Sequence, residues 1–112
     1  MNRLKTKLFT QDLSAGALAE SLSDDFRDLK VVQVTFSFSG DCSHTQTLTL
    51  NSAGGTSFDA LIVTNTLTSE TVYVWRGSIL IANGDSFDVG CTNVGGAETV
   101  SVSVYYATEF DI

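Results

Sequence analysis

From Glu98 to Tyr106 the chain reads Glu-Thr-Val-Ser-Val-Ser-Val-Tyr-Tyr, so Val100, Val102 and Val104 alternate with Thr99, Ser101 and Ser103. The same period sets Val32, Val34, Phe36 and Phe38 against Gln33, Thr35, Ser37 and Ser39, and Leu48 and Leu50 against Thr47 and Thr49. Successive side chains of a strand point to opposite faces, so a period of two gives one apolar face and one hydroxyl face. A sheet built this way packs on one side and meets water or a partner on the other.

Turn markers punctuate these runs: Ser39-Gly40-Asp41, Asn51-Ser52-Ala53-Gly54-Gly55, Asn83-Gly84-Asp85 and Asn93-Val94-Gly95-Gly96. Between them, strands are predicted at 31–39, 45–51, 58–64, 70–76, 78–82, 86–91 and 98–107. Short strands at this spacing predict an all-β fold, a single antiparallel β-sandwich of jelly-roll type with seven or eight strands. Residues 30–112 form its body, and residues 1–29 read as an N-terminal arm or as the first strands. In that arm Leu18, Leu22, Phe26 and Leu29 recur at helical spacing and the alanines favour a short helix over 14–28. Against it, Ser14-Ala15-Gly16 reads as a turn, and residues 17–22 suit a strand.

At 112 residues the chain suits one domain that buries roughly 65% of its unfolded surface. The net charge of −7 is uneven: residues 1–30 sum to zero, while residues 31–112 hold eight acids and Arg76 alone as a base. Phosphate backbones are bound by clusters of Lys and Arg, so nucleic acid is not an expected partner. No stretch approaches the ~20 apolar residues of a membrane span, so no membrane partner is expected either. Met1 to Gly16 has no continuous apolar run of signal-peptide length, so a reducing cytosol with Cys42 and Cys91 as free thiols is expected, a bridge between them being the alternative. The chain has no proline, so its strand edges must be covered, paired or charged.

Catalytic chemistry finds little footing. The one histidine, His44, lies in Gly40-Asp41-Cys42-Ser43-His44 and reads as an exposed turn residue. Neither Cys42 nor His44 is framed by a nucleophile-elbow motif. Two cysteines and one histidine do not fill a zinc site. Asp85 and Asp88 suit a turn and an outward strand position better than calcium. No enzyme, cofactor or metal is expected.

Binding chemistry fares better. In Glu70-Thr71-Val72-Tyr73-Val74-Trp75-Arg76, the valines take one face and Thr71, Tyr73 and Trp75 the other. Tyr, Trp and Arg are enriched at interface hot spots because they bury large area and keep a polar handle. Tyr73, Trp75, Arg76 and Tyr105 are therefore the predicted contacts, with the Arg3, Lys5 and Lys7 segment as a second anchor. The structural alternative is that the N-terminal segment covers these aromatics.

From Lys30 onward the order of features resembles small β-sandwich accessory proteins in tailed-bacteriophage virions. The features are a first strand Val31 to Ser39, a hydroxyl-rich strand Thr45 to Asn51, a glycine turn before Phe58-Asp59, the Val- and Trp-containing strand Val72 to Arg76, Gly84-Asp85-Ser86-Phe87-Asp88-Val89, and the closing Val-Ser strand. The resemblance covers roughly residues 30–107. It implies a non-enzymatic virion structural protein, a head decoration or cement protein on the capsid exterior that binds the major capsid protein or other virion proteins and stabilises the head. A head–tail or fibre component is the neighbouring role. A homo-oligomer is expected, a trimer fitting three-fold positions. The rival from a different class is a carbohydrate-binding module that stacks sugars on Tyr73 and Trp75.

Overall fold

The computed structural model describes residues 4–24, 26–55, 57, 59–94 and 97–108. Among these, eight strands form and no helix. They are β1 (Lys5–Asp12), β2 (Leu18–Ser23), β3 (Leu29–Cys42), β4 (Thr45–Asn51), β5 (Ala60–Thr66), β6 (Glu70–Ile81), β7 (Ser86–Cys91) and β8 (Thr99–Thr108). One sheet has the order β1-β8-β3-β6 and the other β2-β7-β4-β5. β1 pairs β8, β2 pairs β7, β3 pairs β6 and β4 pairs β5, all antiparallel. Strand pairs nested in this way, folded over into two sheets, are the jelly roll.

The alternating residues build the core as expected except at Val32, where an extra residue in β3 against β8 shifts the phase and turns Val31 inward in its place. Val100, Val102 and Val104 of β8 are fully buried, as are Val31, Val34 and Phe36 of β3. Leu48 of β4 and Phe87 and Val89 of β7 meet them from the second sheet. Phe9, Leu13, Leu18 and Leu22 belong to the same core.

Two expectations change. Of the two readings for the N-terminal segment, the strand holds and the helix over 14–28 does not. Leu18 and Leu22 face inward from β2, opposite Cys91 and Phe87, while Phe26 lies 86% exposed in a loop. Strand pairing with β7 outweighs a helical spacing whose third member has nothing to pack on. Residues 5–23 thus supply an edge strand to each sheet. The strands predicted at 70–76 and 78–82 are also one strand, β6. Its pairing with β3 slips one residue at Gly77-Ser78, a bulge that redirects the chain without ending the ladder.

Candidate functional site

The centre of the outer face of the β1-β8-β3-β6 sheet is nearly uncharged, with Asp12, Lys30 and Glu70 standing at strand ends. Its cross-strand rows run Thr6–Tyr105–Gln33–Arg76, Leu8–Ser103–Thr35–Val74 and Thr10–Ser101–Ser37–Val72. Arg76 is the one charged residue in these rows, and its Nε donates to Gln33 Oε1 at 3.2 Å. Leu8 is 60% exposed, Val72 48% and Val74 37%, so aliphatic side chains rim a plane of hydroxyls.

The predicted contact residues fall in three places. Arg76 and Tyr105 lie on this outer face, either side of Gln33. Tyr73 and Trp75 do not: they sit opposite Phe36 and Val34 and pack against the core. This corrects the outward aromatic face. Both phases of β6 are apolar, and the register with β3 decides which turns in. Tyr73 stacks on Phe36 with ring centroids 6.0 Å apart, and burial pushes its hydroxyl pKa up. Lys5 and Lys7 take the inward phase of β1, where Lys7 Nζ lies 5.8 Å from the centre of the Phe9 ring. Arg3 lies outside the described residues.

Tyr73, Trp75 and Ile79 of β6 and Ile62 and Val63 of β5 are only partly buried. β1 runs close to β2 on one side of the sandwich, so β6 and β5 form the opposite side. There the core is left as an open apolar seam. The Trp75 ring lies over Gly77, and a Cβ on that glycine would sit 2.6 Å from Trp75 Cζ2. This arrangement gives the carbohydrate reading no flat exposed platform of Tyr73 and Trp75.

The polar cluster that sequence reasoning missed lies at one end of the sandwich. His44 is 1% exposed, which corrects its reading as a turn residue at the surface. Its Nδ1 accepts the Val94 N–H at 3.0 Å, and its Nε2 meets Glu98 Oε1 at 2.8 Å. Its carbonyl accepts from the Leu67 N–H and from Gln46 Nε2, and its ring stacks on Phe38. No local signal marks the Glu98 contact, because 54 residues separate the two partners.

Cys42, His44 and Glu98 place one donor atom each within 4.8 Å of one another, the spacing of a metal or nucleophile site. The hydrogen bonds oppose both uses. Because Nδ1 accepts a backbone N–H, the ring proton is on Nε2, where it is donated to Glu98. A metal on Nε2 would move that proton to Nδ1, against the Val94 N–H. A thiol would find neither nitrogen free as a base. Burial also pushes the Cys42 thiol pKa up, and that of Cys91 to about 11, the reverse of an activated thiolate. Both cysteines are free and buried.

The other sheet carries a shallow depression of about 200 Å³ over Gly90, edged by Ser21, Thr47, Thr49 and Asp88. Asp88 accepts from Ser21 Oγ, Asn51 Nδ2 and Ser86 Oγ at 2.8–3.1 Å, so its carboxylate is already engaged. Asp85 likewise accepts the Ala53 N–H at 2.9 Å.

No family model and no curated protein matches the chain. Among solved structures, it is similar to the Drosophila NLP core, described for its pentamer formation and histone binding, at 10% identity and a TM-score of 0.50, covering 92% of this chain and 95% of that one. A likeness at this identity speaks for the fold. It is also similar, with a TM-score of 0.35 and 13% identity, to a chain of infectious bursal disease virus, Gx strain, covering 96% of this chain and 36% of that one.

Proposed function

We propose that the chain is a non-enzymatic structural protein of a virus particle, a decoration or cement protein on the head of a tailed bacteriophage. It docks on the major capsid protein through the outer face of the β1-β8-β3-β6 sheet. The observation that carries this reading is the near-absence of charge at the centre of that face, where Arg76 is the one charged side chain in three cross-strand rows, in a chain with net charge −7. Interfaces deplete charge at their centres, whereas a sheet face that had only to stay solvated gains from Lys and Glu. Hydroxyls ringed by Leu8, Val72 and Val74 give a surface that desolvates at low cost and bonds to a partner's backbone. Binding across two capsid subunits stabilises the head, because the decoration must be lost before they separate. The engaged nitrogens of His44 and the raised thiol of Cys42 support the non-enzymatic reading.

The test is a particle-binding assay with Ser103→Lys, at the centre of the face, against Ser21→Lys on the opposite sheet as control. Co-sedimentation with particles should be lost for the first and kept for the second. Equal binding by both would sink the proposed face. Mass spectrometry of particles purified from a lysate should find the chain in many copies, and its absence from them would sink the virion role. A glycan titration followed by Trp75 fluorescence should show no saturable change.

A further inference from the structure

The two open sides of the sandwich are built differently. On the β1–β2 side, the inward phase of the edge strands carries Lys5, Lys7 and Glu20. An inward-pointing charge on an edge strand discourages a further strand from adding there, because the newcomer would have to bury it. On the opposite side, the inward phase of β6 carries Thr71, Tyr73, Trp75 and Ile79, with no charge. β6 is twelve residues long and has no proline, so half of its backbone groups face outward from the sheet as a template for pairing.

We propose that β6 pairs antiparallel with β6 of a second copy of this chain, about a two-fold axis at Tyr73. The strand is self-complementary in that register. Glu70 and Arg76 lie three residues to either side of Tyr73, so each stands opposite the other type in the second copy. Val72 stands opposite Val74, joining the exposed aliphatic side chains of the two outer faces. A two-fold interface must match each charge with its opposite at the symmetric position. Arg76 is the one base among residues 31–112, and β6 holds it at the spacing this pairing requires. Two four-stranded sheets become one of eight strands, the inner aromatics of the two seams meet, and the unprotected edge is removed. The proposal goes beyond docking on a particle and needs no particle to be tested.

Sedimentation equilibrium of the full chain at micromolar concentrations should give twice the chain mass of 12.0 kDa. Arg76→Glu sets like charges opposite each other twice and should raise the dimer dissociation constant about tenfold, as should Glu70→Arg. The double swap Glu70→Arg with Arg76→Glu should restore it, a rescue that a register in which the two residues do not meet cannot give. Both residues are exposed, so circular dichroism should show every variant folded. Val74→Lys should give a monomer, while Ser103→Lys should dimerise normally even where it loses the particle. A monomer at all concentrations, a ring of three or five copies, swaps without rescue, or a Val74→Lys dimer would each overturn the pairing.

Discussion

His44 ties its own β3–β4 connection to two others, one through its ring and one through its backbone carbonyl. Its imidazole binds the β7–β8 connection at Val94 and reaches Glu98, while its carbonyl takes the Leu67 N–H of the β5–β6 connection. Truncating it leaves a void and strands a backbone N–H and a carboxylate, so His44→Ala should cost about 2–4 kcal/mol in urea unfolding. A cost below about 1 kcal/mol would mean water replaces the ring. Cys91 makes a pH prediction of opposite kind. Its thiol rises from 9.0 to about 11 on folding, so below about pH 9 it is protonated in both states and adds no pH dependence. Between about pH 9 and 11 the unfolded thiol ionises and the folded one does not, so stability falls as pH rises. Cys91→Ala should lower stability overall but flatten that fall, measured by denaturation at pH 8, 9 and 10. None of this was legible locally. A histidine in a Gly-Asp-Cys-Ser-His turn reads as solvent-exposed until a glutamate from just before β8 is brought to it.

At the scale of the element, β6 shows where a two-residue period stops being decisive. Alternation of Val with Ser in β8 assigns the faces without help, because only one phase is apolar. In β6 both phases are apolar, Val72 and Val74 on one and Tyr73 and Trp75 on the other, and pattern cannot choose. The choice is made by β3, whose Val34 and Phe36 are buried and whose register places the aromatics inward. Gly77 then lets the Trp75 ring lie along the strand. A Cβ there would displace the ring, so Gly77→Ala should shift the tryptophan emission to the red and cost about 1 kcal/mol. Trp75→Ala should cost about 2–3 kcal/mol, less than the usual range for a fully buried tryptophan because the seam is half open. An emission maximum unchanged by Gly77→Ala would show that the ring moves aside freely.

For the whole molecule, sandwich class was legible because hydroxyl and apolar residues alternate in β3, β4 and β8, and because glycine and asparagine mark the turns. The role of residues 5–23 was not, since Leu18 and Leu22 satisfy a helix and a strand equally well until β7 lies beside them. The nested pairing makes the ends of the chain interdependent. β1 closes β8 on one sheet, β2 closes β7 on the other, and Phe9, Leu13, Leu18 and Leu22 come with them into the core. Removing these strands would expose the edge of β8, whose valines are the most regular apolar run in the chain, and strip the charged edge formed by Lys5, Lys7 and Glu20. Each lost core leucine or phenylalanine is worth about 2–4 kcal/mol, and four of them exceed the 5–15 kcal/mol that holds a domain of this size together, or come close to it. A chain of residues 29–112 should therefore show no cooperative thermal transition and should aggregate through its uncovered edges, whereas the full chain should unfold in one step. A sharp transition in the truncated chain, seen by calorimetry, would mean that the two N-terminal strands are an arm after all and that β3 to β8 hold the sandwich unaided.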